Sequence, residues 1–209
     1  MISMPRFYPI LDASRFETTD ALLEAAEQLL SSGVQILQYR NKSGDAGRML
    51  VEARELRHRV LFRESGKAVK LIMNDRPDLC LAADFEGVHV GQNDLSPESA
   101  RKIIGPSRWL GVSTHSPTQV AEANQTSANY LAIGPVFETA SKDKPDPVVG
   151  LDGVREARQL TTKPLVAIGG ITRANCLSVL LAGADSVAVI SDLAETPRAS
   201  AKEFLQLLS

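Results

Sequence analysis

Polar side chains and glycines follow the short apolar segments of this 209-residue sequence, at the point where each segment ends. They include amides, hydroxyls, carboxylates and cations, and they recur along most of the chain. The groups are Gln38-Tyr39-Arg40-Asn41-Lys42, Asn74-Asp75-Arg76, Gly91-Gln92-Asn93-Asp94, Ser113-Thr114-His115-Ser116, Thr139-Ala140-Ser141-Lys142, Gly169-Gly170 and Ile190-Ser191. Polar groups beside a hydrophobic core are costly unless they find partners. Their recurrence therefore favours a binding site over a purely structural protein.

The charged side chains in these groups divide by sign. Arg40, Lys42 and Lys142 are cations that can neutralise phosphate oxygens, and arginine can do so through two parallel hydrogen bonds. Asp75 and Asp94 are carboxylates that end neighbouring segments. Proteins hold magnesium with one or two carboxylates together with substrate phosphates. The pattern predicts Mg²⁺ beside a phosphate; the alternative is that Asp75 caps a turn and Asp94 begins a helix.

The elements that must position these groups are short apolar runs that alternate with helix-like segments. The runs span residues 7–12, 35–40, 70–75, 87–92, 109–114, 130–137, 164–170 and 186–192. They are nearly continuous, as parallel strands covered on both faces are. Eight strand-helix units of roughly 26 residues predict an α/β fold, a single (β/α)₈ TIM barrel over residues 1–209. An open doubly wound sheet is the alternative.

A second anion site is predicted from the last two strands. Gly169-Gly170 follows the seventh strand, and Ile190-Ser191 follows the eighth. TIM barrels often bind phosphate at this place, where glycine backbones and a helix N-terminus face the anion. A Gly-Gly pair alone also serves in ordinary tight turns, so the position in the seventh unit is the stronger part of this prediction.

Composition excludes several classes of protein. Lysine plus arginine number 23 and aspartate plus glutamate 25, a formal net charge of −2, whereas a nucleic-acid binder shows a basic excess. Apolar runs are shorter than the roughly 18 residues of a membrane span, and the N-terminal residues do not resemble a signal peptide. Two cysteines and three histidines make a zinc site or a disulfide framework a poor interpretation. We expect a cytoplasmic protein without nucleic-acid or membrane partners.

Two histidines lie near the predicted strand ends. His89 interrupts the apolar run Gly87-Val88-His89-Val90 and is expected to point inward with its hydrogen bonds satisfied. His115 follows Ser113 at the end of the fifth strand, and it is a weaker candidate for a catalytic role than the cations and carboxylates.

The sequence resembles the thiamine-phosphate synthase family. The motifs that carry the resemblance occur in family order from the second strand to the eighth, and together they are specific. They are Gln38 to Lys42, Met73-Asn74-Asp75-Arg76, Gly87-Val88-His89-Val90-Gly91-Gln92 with Asp94, Gly111-Val112-Ser113, Gly134-Pro135-Val136-Phe137 with Lys142, and Ala167-Ile168-Gly169-Gly170-Ile171.

The resemblance implies a transferase on a (β/α)₈ barrel that joins the two halves of thiamine phosphate. The pyrimidine methylene of 4-amino-2-methyl-5-pyrimidinylmethyl diphosphate would move to the nitrogen of a thiazole phosphate. Diphosphate would leave, together with carbon dioxide when the thiazole is carboxylated. The resemblance also implies catalytic roles for Ser113, Lys142 and Arg40, and Mg²⁺ on Asp75 and Asp94.

The resemblance further assigns the two small-molecule substrates to separate groups of residues. The pyrimidine diphosphate is expected at Gln38, Tyr39, Arg40, Asn41, Lys42, Asn74, Ser113 and Lys142. The thiazole phosphate is expected at Thr139, Ala140, Ser141, Gly169, Gly170, Ile190 and Ser191.

Three other functions are alternatives to the synthase. A thiazole tautomerase of the same superfamily carries His where this chain has Pro135 and Gly where it has Asp75, so both positions favour the synthase. A phosphosugar epimerase or aldolase would share the second anion site but leaves the Asp75 and Asp94 pair unexplained. A non-catalytic barrel that binds a phosphate ligand would be favoured by loss of the carboxylates or cations, and both are present. Whether the chain forms a homo-oligomer is left open.

Overall fold

The computed structural model describes residues 2–62, 69–139, 146–193 and 195–209, and within these ranges eight strands and eight α-helices alternate. The strands are β1 Phe7–Asp12, β2 Ile36–Arg40, β3 Lys70–Asn74, β4 Gly87–Val90, β5 Trp109–Thr114, β6 Tyr130–Ile133, β7 Leu165–Ile168 and β8 Ser186–Val189. The helices are α1 Thr19–Ser31, α2 Ala46–Leu61, α3 Pro77–Ala82, α4 Pro97–Ile104, α5 Pro117–Asn124, α6 Gly150–Leu160, α7 Cys176–Leu181 and α8 Pro197–Leu207.

The strands close into a parallel barrel. Each strand pairs with the next in chain order, and β8 pairs with β1 through Phe7 and Val187. The predicted (β/α)₈ barrel is therefore confirmed, and the open doubly wound sheet is wrong. Several strands end earlier than their apolar runs; β6 stops at Ile133, shortly before Pro135, which has no N–H to donate to a neighbouring strand.

Side chains of each strand alternate between the barrel interior and the layer beneath the helices, as the two-residue period of a strand requires. On β2, Ile36 belongs to the interior cluster, while Leu37 and Tyr39 belong to the outer one. Gln38 and Arg40 share the parity of Ile36 and face the interior. The buried interior cluster comprises Tyr8, Ile10, Ile36, Ile72, Tyr130, Ala132, Val166 and Ala188.

Helices α4 and α5 show how the sequence sets the start of a helix on the outside of the barrel. The hydroxyls of Ser96 and Ser116 accept hydrogen bonds from backbone N–H groups three residues later, at 3.2 and 3.3 Å. A proline follows each serine at the first helical position, where no N–H is needed. Among the described residues, none of the helices has the length and apolar character that crossing a bilayer requires.

Candidate active site

A pocket opens at the carboxyl ends of the barrel strands. It brings together many of the residues that the sequence singled out, although they come from six different strand ends or the loops after them. The predicted site residues that line it are Gln38, Arg40, Asn74, Ser113, Thr139, Gly169, Gly170, Ile190 and Ser191. Tyr8, His89, His115, Pro135 and Asp146 line it as well.

The cations Arg40 and Lys42 are each held by a carboxylate; Arg40 lines the pocket, whereas the predicted site residues Lys42, Asp75 and Asp94 are not among its lining residues. The guanidinium of Arg40 forms an ion pair with Asp12 at the end of β1, and the ammonium of Lys42 pairs with Asp75. Asp12 is buried and also accepts hydrogen bonds from the backbone N–H and hydroxyl of Ser14, at 3.1 and 2.8 Å. Asp12 was missed as a site residue, although it ends the first apolar run just as the predicted polar groups end theirs.

Asp75 and Asp94 lie against each other beside Lys42. The pKa of Asp94 is raised by burial and by the neighbouring Asp75 carboxyl, against the lowering effect of the Gly91 N–H and Lys42. The Gly91 N–H donates to Asp94 Oδ2 at 2.8 Å, and Asp75 has a left-handed backbone with φ of 61°. In the described part of the chain, no third His, Cys, Asp or Glu joins them in a metal-binding group. Two crowded carboxylates suit a divalent cation that takes its remaining oxygens from a phosphate or water.

The side chains of Tyr39 and Asn41 do not reach the pocket. Tyr39 is fully buried in the layer beneath the helices, where its hydroxyl donates to the carboxylate of Glu52 on α2. The amide of Asn41 donates to Tyr39 and to the same carboxylate, at 3.0 Å each. The cause for Tyr39 is strand alternation, which turns its side chain outward between Gln38 and Arg40. These two side chains support the β2–α2 loop from behind and do not line the pocket; their contact with substrate stays a prediction.

The floor of the pocket is a row of hydrogen-bonded side chains that crosses the barrel. Gln38 Nε2 donates to the Tyr8 hydroxyl at 2.9 Å, and the hydroxyls of Tyr8 and Tyr130 are 3.0 Å apart. His89 lies 3.1 Å from the Tyr130 hydroxyl through Nδ1 and 2.8 Å from Ser113 Oγ through Nε2. Burial raises the pKa of both tyrosines, so they stay neutral. The inward, hydrogen-bonded position expected for His89 is observed.

Asn74 adds a polar group to the same pocket. It is buried, and among the described residues its Nδ2 has no hydrogen-bond partner. Buried donors without a partner are rare because each costs free energy. In a residue that lines a pocket, such a donor fits a role in binding ligand.

The glycine turn after β7 packs tightly against the loop after β6. Gly169 and Gly170 have φ of 99° and 63°, values that favour glycine. A Cβ atom on Gly169 would lie 2.5 Å from Cβ of Pro135, and one on Gly170 would lie 2.4 Å from the Glu138 carbonyl oxygen. The turn therefore requires glycine at both positions and lets backbone approach the pocket. Thr139 lies in the described part of this loop; the predicted site residues Ala140, Ser141 and Lys142 lie outside the described residues.

An ion pair between Arg173 and Asp192, called the clamp below, connects the loop after β7 to the loop after β8. Ser191 begins a short 3₁₀-helix, Ser191–Leu193. The Asp192 carboxylate accepts three hydrogen bonds of 3.0 Å from Arg173, one from its backbone N–H and two from its guanidinium. These hydrogen bonds, together with Glu203, raise the pKa of Arg173 further. The clamp holds Ser191 and Gly170 on one wall of the pocket, and sequence reasoning missed it because both partners are ordinary loop charges.

His115 lies at the rim beside the same wall. Its Nδ1 is 2.5 Å from the carbonyl oxygen of Gly134, and its Nε2 is 3.4 Å from the carboxylate of Asp146. A ring nitrogen that donates to a backbone carbonyl fixes the orientation of the ring. His115 thus fastens the two ends of the β6–α6 connection to β5.

Comparison with known proteins agrees with this geometry. The sequence model of the family described as "Thiamine monophosphate synthase" matches residues 7–193. The thiamine-phosphate synthase of Koribacter versatilis is 54% identical over 99% of this chain and 97% of its own length. That of Chloroflexus aurantiacus is 42% identical over 98% and 93%. A solved structure of thiamine phosphate pyrophosphorylase from Pyrococcus furiosus superimposes with a TM-score of 0.84 at 30% identity, over 97% of this chain and 95% of that one. The chain belongs to the thiamine monophosphate synthase family.

Proposed function

We propose that this pocket forms thiamine phosphate from its two halves. The pyrimidine methylene of 4-amino-2-methyl-5-pyrimidinylmethyl diphosphate is transferred to the nitrogen of a thiazole phosphate, and diphosphate leaves. Carbon dioxide leaves too when the thiazole carries a carboxylate. Thiamine-phosphate synthesis is the activity named for the family. The observation that carries the proposal is one pocket lined by the Arg40 guanidinium and by the Gly169-Gly170 turn, with the Lys42–Asp75 ion pair two residues beyond Arg40 in the β2–α2 loop.

The cations serve the leaving diphosphate in this proposal. As the bond to the methylene breaks, negative charge grows on the diphosphate, and groups already in place stabilise it most. Arg40 and Lys42 are held for this by Asp12 and Asp75, so that little reorganisation is needed. Lys142 is proposed as a third cation on the same group.

Asp75 and Asp94 are proposed as the protein ligands of a magnesium ion. Burial and the neighbouring Asp75 carboxyl disfavour the charged form of Asp94 and raise its pKa. Such a pair fits a cation that takes its other ligands from phosphate oxygens. When bound, Mg²⁺ would supply further neutralisation of the diphosphate.

The opposite wall is proposed to hold the phosphate of the thiazole. Gly169, Gly170, Ile190 and Ser191 line it, with Thr139, Ala140 and Ser141 proposed from the β6–α6 connection. Anchoring the phosphate there would bring the thiazole nitrogen toward the pyrimidine methylene without a covalent bond to protein. Orientation of two bound substrates and electrostatic stabilisation would supply most of the rate. We also propose that residues 1–209 form one barrel domain.

The test is to mix purified protein with both substrate halves and Mg²⁺ and to measure thiamine phosphate. Asp75→Asn and Asp94→Asn should each lower kcat/KM on the order of a hundredfold or more, because charge stabilisation of the leaving group is lost. Each variant should also raise the Mg²⁺ concentration for half-maximal rate. Asp78→Asn is the matched control, since this exposed carboxylate on α3 pairs with Arg76 and is not one of the two proposed metal ligands.

Full activity of both aspartate variants in EDTA would contradict the metal assignment. The tautomerase alternative is tested with the non-aromatic thiazole carboxylate phosphate supplied without the pyrimidine. We expect no aromatisation above background, because Pro135 lines the pocket where a tautomerase carries histidine and has no proton to transfer. Rapid aromatisation, with no thiamine phosphate formed when the pyrimidine diphosphate and Mg²⁺ are added, would assign the protein to the tautomerases instead.

A further inference from the structure

The hydrogen bonds that link the side chains of the pocket floor all run in one direction, so that each group donates to the next one along the row. Gln38 Nε2 can only donate, so the Tyr8 oxygen accepts from it at 2.9 Å. The Tyr8 hydroxyl is buried and needs an acceptor, and the acceptor that the described residues offer it is the Tyr130 oxygen, 3.0 Å away. The Tyr130 proton is in turn directed to Nδ1 of His89 at 3.1 Å.

The same assignment of donors and acceptors determines the hydrogen bond between His89 and Ser113 at the other end of the row. A neutral imidazole whose Nδ1 accepts carries its proton on Nε2. His89 Nε2 therefore donates to Ser113 Oγ at 2.8 Å. Because the oxygen of Ser113 accepts from His89, its own hydroxyl proton points elsewhere, and Ser113 lines the pocket.

The junction between His89 and Tyr130 is built into the barrel. Gly111 on β5 pairs with His89 on β4 and with Tyr130 on β6. A Cβ atom at Gly111 would lie 2.2 Å from Cζ of Tyr130 and 2.4 Å from Nδ1 of His89. A side chain at this position would occupy the space in which the two rings meet, so the contact depends on glycine.

We propose that Tyr8 and Tyr130 are positioning residues that set the tautomer of His89 and thereby make Ser113 a hydrogen-bond donor to substrate. The substrate atom facing Ser113 must then be an acceptor, such as a phosphate oxygen or a pyridine-type ring nitrogen. The part of this inference that concerns substrate rests on the proposed function, in which Ser113 contacts the pyrimidine diphosphate. The part that concerns the tautomer does not.

The tautomer is measured by ¹⁵N NMR of the imidazoles in ligand-free protein labelled at histidine. The chain has three histidines, and His58→Gln and His115→Gln assign the signals. In the wild type we expect His89 to be protonated at Nε2 and unprotonated at Nδ1. Tyr130→Phe should populate both tautomers, since the hydrogen bond from Tyr130 that favours an unprotonated Nδ1 is removed.

Gln38→Glu is the more decisive variant. It should exchange donor and acceptor in every hydrogen bond from residue 38 to His89, while the side chain keeps nearly the same size and shape. A carboxylate accepts from Tyr8, so the Tyr8 oxygen accepts from Tyr130, and the Tyr130 oxygen accepts from Nδ1. We expect Nδ1 of His89 to carry a proton in this variant. Tyr39→Phe is the matched control, because this buried tyrosine donates to Glu52 outside the row; the His89 signals should not change. An unprotonated Nδ1 in Gln38→Glu, or the wild-type tautomer in Tyr130→Phe, would overturn the inference.

The role in the reaction is measured separately. Tyr130→Phe should lower kcat for thiamine phosphate formation about tenfold, the equivalent of one hydrogen bond made poorly in the transition state, with little change in the KM of the thiazole phosphate. If Tyr130→Phe alters the tautomer of His89 but keeps the wild-type kcat, the proposal that the tautomer acts on the reaction through Ser113 is refuted. A wild-type protein that forms no thiamine phosphate would instead refute the proposed function, while the NMR result would still decide whether the row sets the tautomer.

Discussion

Glu52→Gln tests how the cationic loop is supported from behind the barrel. The carboxylate of Glu52 is fully buried on α2. Its Oε1 accepts from the Thr19 hydroxyl and from Nε of Arg48, both at 2.8 Å, and its Oε2 accepts from Tyr39 and Asn41. Every partner is a donor, so both oxygens are needed as acceptors.

The magnitude follows from this geometry. A glutamine amide placed at Oε2 would face the amide of Asn41, donor against donor, and one placed at Oε1 would face Nε of Arg48. At least one hydrogen bond to a charged group is lost and the others weaken, and such bonds contribute about 1.5–3 kcal/mol each. We expect the free energy of unfolding to fall by about 3 kcal/mol at pH 7.

The loss should depend on pH. Burial raises the pKa of Glu52, but the hydrogen bonds to its carboxylate outweigh burial and hold the pKa below its usual value. A carboxyl with a depressed folded-state pKa contributes stability above its unfolded pKa, and the contribution disappears as the pH falls through the folded value. The difference between wild type and Glu52→Gln should therefore shrink as the pH is lowered from 7 toward 3.

Activity should change through Asn41. Its side-chain oxygen accepts from the Ser43 N–H at 2.9 Å while its amide is held by Glu52, so the carboxylate fixes the loop that carries Lys42. We expect a higher KM for the pyrimidine diphosphate and an unchanged KM for the thiazole phosphate.

The assay is urea unfolding at several pH values, combined with steady-state kinetics. Asp152→Asn is the control, because Asp152 and Arg155 form an exposed ion pair on α6 that should contribute less than about 1 kcal/mol. A Glu52→Gln variant within about 0.5 kcal/mol of wild type at pH 7, where surface substitutions usually fall, would refute the reasoning.

Two other substitutions have defined outcomes. Gly170→Ala should abolish most of the coupling activity, because its Cβ would lie 2.4 Å from the Glu138 carbonyl oxygen; Gly105→Ala, also at positive φ but with open space around it, should lose some stability and keep its kcat. Equal kinetic loss in both would contradict a specific role for the turn. Phe204→Ala should lower the free energy of unfolding by about 3–5 kcal/mol, because it removes a buried ring stacked 4.9 Å from Phe7. Its kcat should match wild type below the unfolding temperature, and a large kcat change without destabilisation would contradict the assignment to the helix layer.

The barrel could be predicted from the sequence because local patterns carry it. Nearly continuous apolar runs predict parallel strands, their regular alternation with helices predicts the crossovers, and polar residues directly after the runs predict the mouth. The sequence also predicts two parts of the site for a local reason. Glycine limits the backbone of the Gly169-Gly170 turn, and the carboxylates of Asp75 and Asp94 limit the chemistry at the ends of their segments. Closure of the sheet then brings these strand ends to one end of the barrel.

The tertiary structure alone decided which side chains within these stretches reach the pocket and what holds them there. Tyr39 lies between Gln38 and Arg40 in the sequence, yet its side chain is turned outward and donates to Glu52. Tyr8 and Tyr130 are 122 positions apart and meet only across the closed barrel. A hydrogen bond between distant residues leaves no local period or spacing in the sequence. Its donors and acceptors can be paired only after the strands are in register, and so the direction of the row from Gln38 to Ser113 is a property of the folded barrel.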